Sequence, residues 1–312
     1  MMRRSRVVTC VLFLTAVLFL TALCGAAFAQ TGREAVTGPA SAAGDASRIV
    51  SIGGDITEIL YAIGAATRIV AVDATSQFPP EALQQKANVG YMRALSTEGV
   101  LSVGASLIIA SDRAGPPEVV SALKSSPVAY VEIAEDLSPQ GIASKTRHVS
   151  QVVGLEAAGK ELAARIERDF EALAKQRALI KRPLRTLFVL NVANGRATVG
   201  GRNTSADAML KLAGAENAAA SINGFKPMTD EAMAEIRPEA IVLMHNSSGG
   251  HDAEQLMTMR GAGASPAVRE KRIIRMDGLY VLGFGPRAAA AADDLMRALY
   301  PDLPIKRAEL GR

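Results

Sequence analysis

From Arg48 onward, short apolar runs rich in β-branched residues alternate with stretches whose apolar positions recur every three or four residues. Residues 49–52, 69–73, 107–110 and 128–133 read as four strands in the first half of the chain, and 186–192, 240–245 and 273–276 as three in the second. Nearly continuous apolar strands separated by helices imply mostly parallel sheets covered by helices on both faces. Between the halves, Leu155, Ala158, Leu162, Ile166, Phe170 and Leu173 form one apolar stripe, while Lys160, Arg165, Arg168 and Lys175 fill the opposite face. A helix of about 25 residues would span roughly 38 Å. The expected architecture is α/β: two similar lobes (48–153 and 183–312), each a mostly parallel sheet flanked by helices, joined by one long rigid linking helix (154–182). A strut of that kind predicts a cleft between lobes with little closure.

The halves also resemble each other. The helical pattern from Thr57 to Ile63 ends in Gly64-Ala65, and that from Asp207 to Ala213 ends in Gly214-Ala215. Further on, Glu98 to Val103 leads through Gly104-Ala105-Ser106 into a strand, as Glu231 to Ile236 leads through Arg237-Pro238-Glu239 into another. A duplicated unit accounts for both.

Residues 1–29 carry Arg3, Arg4 and Arg6, then an apolar stretch, then Ala27-Phe28-Ala29, the pattern of a cleaved signal peptide. Residues 30–47 read as a flexible leader, and the protein is expected to be exported to the periplasm. The chain is 49% hydrophobic and 21% charged, an ordinary globular composition. Its formal charge is +4, but without the three signal-peptide arginines 32 basic residues face 31 acidic ones, near +1, so no basic footprint for nucleic acid is left. Both cysteines, Cys10 and Cys24, lie in the expected signal peptide, which excludes a disulfide framework or cysteine nucleophile from the mature chain. Lipid anchoring at Cys24 is not expected, because Leu23 before it is not small.

No phosphate-cradling glycine loop, nucleophile elbow or H-E-x-x-H motif is present. Catalysis is therefore not expected, and binding is the better class. The run Asn88-Val89-Gly90-Tyr91-Met92-Arg93-Ala94-Leu95-Ser96-Thr97-Glu98 resembles the periplasmic haem-binding proteins of bacterial haem ABC importers, the HmuT and ShuT type. Residues 48–54 and 277–287 support the likeness, which spans about residues 48–300. The resemblance implies the helical-backbone (class III) substrate-binding fold with two lobes and a rigid linking helix. It also implies haem as the transported ligand, ABC permease subunits in the inner membrane as partners and an outer-membrane haem receptor system upstream. A monomer is expected.

The chemistry of the motif agrees with this. A phenolate is a hard anionic donor suited to ferric iron, and tyrosine is among the known axial haem ligands. A free tyrosine titrates near pH 10, so it needs help at neutral pH. The metal's charge supplies most of that help, and a nearby arginine can add to it. Tyr91 is thus the expected iron ligand, with Arg93 beside its oxygen or on a propionate. Five-coordinate iron held by Tyr91 alone is expected; of the three histidines, His245 at the end of a strand is the candidate second ligand by position. His251 sits in a glycine-rich stretch, and His148 reads as a solvated helix edge. Phe284 and Tyr280 are expected against the porphyrin face and Arg287 on a propionate.

Glu98 and Glu231 occupy equivalent positions in the repeated units. In the wider family the matching acidic residues resemble knobs that pair with arginines on the two permease subunits, although each also opens a helix and can stabilise its N-terminus. The expected function is capture and delivery of haem. A siderophore or cobalamin carrier of the same fold, or an exported haem-handling enzyme, are the alternatives.

Overall fold

Four wholly buried residues, Ile49–Ile52, form β1 at the centre of a five-stranded sheet in which every pairing is parallel. The order is β3-β2-β1-β4-β5, with β2 Ile69–Val72, β3 Ala87–Asn88, β4 Leu107–Ser111 and β5 Ala129–Ile133. Its helices are α1 Gly54–Ala62, α2 Glu81–Gln85, α3 Thr97–Leu101, α4 Pro117–Lys124 and α5 Pro139–Val152. The computed structural model describes residues 45–245 and 252–304, which belong to one compact unit. The expected signal peptide, Cys10, Cys24, nearly all of the leader and His251 lie outside the described residues.

The linking helix, α6 Glu156–Arg177, spans about 33 Å. It buries Leu162, Ile166, Phe170 and Leu173, the stripe visible in the sequence. It packs closely on α5, where a Cβ at Gly159 would collide with the Ser150 side chain.

The second sheet has β6 Arg185–Ala193 at its centre, in the order β11-β10-β6-β7-β9, with β8 Glu216–Asn217 also on β6. Here β7 is Arg196–Gly200, β9 Phe225–Met228, β10 Ala240–His245 and β11 Ile273–Asp277. The pairs β6/β10, β10/β11 and β6/β8 are parallel, but β6/β7 and β7/β9 are antiparallel. The antiparallel extension starts at a hairpin whose turn residues, Asn194 and Gly195, both have positive φ (52° and 69°). That is the backbone a two-residue hairpin requires, and Asn-Gly supplies it at least cost. The helices of this half are α7 Ser205–Leu212, α8 Asp230–Ile236, α9 Asp252–Thr258, α10 Arg260–Gly263, α11 Pro266–Arg269, α12 Gly278–Leu282 and α13 Ala288–Leu299.

The internal repeat extends to hydrogen bonding. Helix α1 ends with Ala65 N–H donating to Leu60 and Gly64 to Tyr61; α7 ends with Ala215 donating to Leu210 and Gly214 to Lys211. Gly64 and Gly214 take φ of 86° and 77°, the left-handed residue that closes such a helix end. Likewise Ser96 caps α3 through Gly99 N–H, and Thr229 caps α8 through Ala232 N–H.

Alternation along the strands divides the core. Val50, Ile52, Ile108 and Ala110 face a cluster of the first sheet alone, and Leu187, Val189, Ile241 and Leu243 one of the second. The opposite faces, Ile49, Leu107 and Ile109 on one side and Phe188, Ala240 and Val242 on the other, join a single cluster with α6 and α13. Sliding one lobe over the other would disturb close-packed apolar side chains, so the pair behaves as a stiff body.

Candidate functional site

Strand order reverses beside β1 in the first sheet and beside β6 in the second, and ligands of open α/β sheets gather beyond the carboxyl ends at such points. A cleft of about 480 Å³ lies there. One wall carries Gly54 and Asp55 after β1, Thr75 after β2, Tyr91, Met92 and Arg93 after β3, Ser111 and Arg113 around the end of β4, and Glu135 after β5. The other carries Leu190 and Asn191 of β6, Ser205, Phe225, Met244 of β10, and Gly278, Leu279, Leu282 and Gly283 in and after α12. The first wall is polar and charged; the second is dominated by apolar side chains.

The loop bearing Tyr91 is held on both flanks. Asn88 Oδ1 accepts from Gly90 N–H (2.8 Å), and Ala74 N–H donates to the Gly90 carbonyl (2.8 Å), with Gly90 at φ 96°. Downstream, Gly115 N–H donates to the Met92 carbonyl (2.9 Å) and Leu95 N–H to the Gly115 carbonyl (3.0 Å). These bonds zip the 90–95 segment to the loop after β4. Tyr91 is 48% exposed, an unusual state for a large aromatic residue in a loop so firmly pinned. Among the described residues, neither its hydroxyl nor the Arg93 guanidinium has a hydrogen-bond or ion-pair partner.

Behind this wall is a buried charge cluster. The Lys145 ammonium, from α5, donates to Asp55 Oδ2 and lies 3.4 Å from Glu135 Oε1; Arg113 Nε stands 3.7 Å from Glu135 Oε2. Burial opposes the Lys145 charge, but Asp55 and Glu135 outweigh it and hold the ammonium above its ordinary pKa. Burial, with the Asp55 charge beside it, pushes the Glu135 carboxyl up against the pull of Lys145 and Arg113.

A larger cavity, about 790 Å³, lies on the other side of Leu279, which lines both. Size alone would favour it. We place the site in the smaller cleft, because that one lies at the strand ends and holds the exposed Tyr91.

Three residues expected at the ligand lie outside the lining of this cleft. Phe284 is 1% exposed, with φ 51°, inside the shared core, so its ring has no free face. Tyr280 lines the larger cavity and donates its hydroxyl to Asp294 (2.9 Å). Arg287 also lines that cavity, stacks on Phe78 (3.4 Å to the ring centroid) and is paired with Glu58. His245 ends β10 exposed and outside the cleft lining, because strand alternation turns Met244, its neighbour, to the cleft instead. His148 is exposed on α5. Sequence reasoning missed Arg113, Leu190, Phe225, Met244 and Leu282. The signal for Leu190 and Met244 was their place at strand ends, where the rule used for His245 applies equally.

Glu98 and Glu231 sit in the first turns of α3 and α8, both exposed and without an ion-pair partner among the described residues. Hydrogen bonds from its own amide and from the Thr229 hydroxyl hold the Glu231 carboxyl below its ordinary pKa.

The chain matches the model of the family described as periplasmic binding protein over residues 49–279. Among solved structures it is similar to the periplasmic heme-binding protein RhuT from Roseiflexus sp. RS-1 in apo form (37% identical, covering 82% of this chain and 98% of that one, TM-score 0.77). It is also similar to the periplasmic heme-binding protein BhuT in complex with two hemes (35% identical, 81% and 98% covered, TM-score 0.76). Among curated relatives are the uncharacterized ABC transporter substrate-binding lipoprotein YvrC of Bacillus subtilis (26% identical, covering 82% of this chain and 80% of that one) and a vitamin B12-binding protein of Pectobacterium atrosepticum (26% identical, covering 63% and 71%). With its fold and cleft in the arrangement just described, the chain belongs to the periplasmic binding protein family.

Proposed function

We propose that this protein captures ferric haem in the cleft and delivers it to an ABC importer of the inner membrane, acting by binding alone after export to the periplasm. The observation that carries the reading is the half-exposed phenol of Tyr91, held on a pinned loop, without a partner among the described residues, in a cleft with an apolar wall. Tyr91 supplies the axial oxygen, and the iron's charge favours its phenolate form. Arg93, two residues on and without an ion-pair partner among the described residues, adds positive charge near that oxygen or meets a propionate. Leu190, Phe225, Met244, Leu279 and Leu282 cover the macrocycle. The similarity to RhuT and BhuT supports this choice of ligand.

Glu98 and Glu231 are the docking points for the two permease subunits. They stand at equivalent positions of the repeat, one on each lobe of a stiff body, which suits them to set register. The cobalamin reading has support from the vitamin B12-binding relative. Titrating the apoprotein with hemin and, separately, with cobalamin while recording absorption decides between them. A saturable Soret shift with hemin and none of the cobalamin bands perturbed is expected; the reverse result would make this a cobalamin carrier.

A further inference from the structure

We infer that Arg113 is a specificity-determining residue of the cleft, its guanidinium binding a carboxylate on the edge of the same haem whose iron Tyr91 holds. The inference rests on the haem reading above and adds to it where the anionic edge of the ligand goes. Arg113 lines the cleft with Tyr91 and Arg93, and its side chain is 37% exposed. Its ion-pair partner, Glu135, is 3.7 Å away, too far for a hydrogen bond, so the guanidinium donors have no hydrogen-bond partner among the described residues. Glu135 has a second cation, Lys145, 3.4 Å from its other oxygen, so it does not depend on Arg113 alone. Arg93 and Arg113 are the two cations among the described lining residues, and Lys145 stands behind them against Asp55 and Glu135.

The position is also preorganised. Arg113 N–H donates to Ser111 Oγ (3.2 Å), Asp112 N–H to the Ile133 carbonyl (2.9 Å), and Gly115 locks the loop to Met92. An arginine fixed at its backbone, with an open planar fork of donors, suits bidentate recognition of a carboxylate. Among the described residues, the opposite wall contributes no cation to the cleft lining. A flat ligand with an apolar face and an acidic edge therefore fits in one sense only, acidic edge toward Arg113.

The test compares ferric haem with its dimethyl ester, which keeps iron and macrocycle but removes both carboxylates. The unmodified protein is expected to bind haem about tenfold or more tighter than the ester. Arg113→Gln should shrink that preference about fivefold, leaving the ester affinity and the phenolate-to-iron absorption band unchanged, while Arg113→Lys keeps part of it. If Arg113→Gln retains the full preference, or weakens haem and ester equally, the inference is overturned. A wild-type protein that binds neither ligand would instead remove the haem reading itself, and this inference with it.

Discussion

Glu58 and Arg287, 229 residues apart in the chain, tie the two lobes together. Glu58, on α1, is buried; it accepts the Arg287 backbone N–H (3.0 Å) on one oxygen and the guanidinium (3.1 Å) on the other. The guanidinium lies flat on Phe78 of the first lobe, and Gly285 lets the second lobe approach Glu58 closely, since a Cβ there would stand 3.3 Å from its carboxyl. A sequence reading puts Arg287 on the ligand; in the structure it is paired with Glu58, outside the lining of the cleft that holds Tyr91.

That difference is measurable. Arg287→Ala leaves a buried carboxylate without its partner and should cost about 3 kcal/mol of stability. Urea unfolding gives the stability, and a hemin titration of the same variant should show affinity within about twofold of wild type. A loss of affinity without a loss of stability would return Arg287 to the ligand.

The same pair predicts a pH dependence. Burial raises the Glu58 pKa above its ordinary value of 4.5 in spite of Arg287. The folded state therefore holds this proton more tightly than the unfolded one, so the stability linked to Glu58 is largest below the ordinary value and declines as pH rises toward the raised one. Glu58→Gln cannot titrate. The stability of wild type relative to Glu58→Gln should fall as pH is raised from about 4.5 and level off above the raised pKa. A difference that rises with pH would show that the ion pair dominates over burial.

Phe284 supplies a third check. Its ring fills the shared core from a backbone with positive φ, so Phe284→Ala should destabilise by about 3–5 kcal/mol. The hemin spectrum of the variant at low temperature should match wild type. A shifted Soret band with unchanged stability would put the ring at the ligand.

Much of the fold was legible because burial on both faces writes itself as continuous apolar strands. Residues 49–52 and 240–245 are observed with the expected bounds, and the stripe from Leu162 to Leu173 is the buried face of α6. The antiparallel strands were less visible. Yet Asn194-Gly195 is a strong hairpin signal, obscured by the expectation of a helix after each strand. At the site, local chemistry was legible and pairing was not. Tyr91 and Arg93 are neighbours in one motif, but Arg287 finds Glu58 and Arg113 faces Glu135 only through tertiary structure. A period of two also distinguishes Met244 from His245 only when the face toward the cleft is known.

Docking to the permease is testable apart from binding. Glu98→Arg combined with Glu231→Arg should abolish haem uptake in cells carrying the importer, with hemin affinity within about twofold of wild type, since both residues are outside the cleft lining. Unimpaired uptake by the double variant would leave these side chains as helix-terminus stabilisers only.

The central claim is that the Tyr91 oxygen holds the iron. Tyr91→Phe removes that single atom and keeps the ring, so folding should be unaffected. The account predicts that hemin affinity falls at least about tenfold, or roughly 1.4 kcal/mol, and that the phenolate-to-iron charge-transfer band disappears from the absorption spectrum. A variant that retains both the band and the affinity would contradict it.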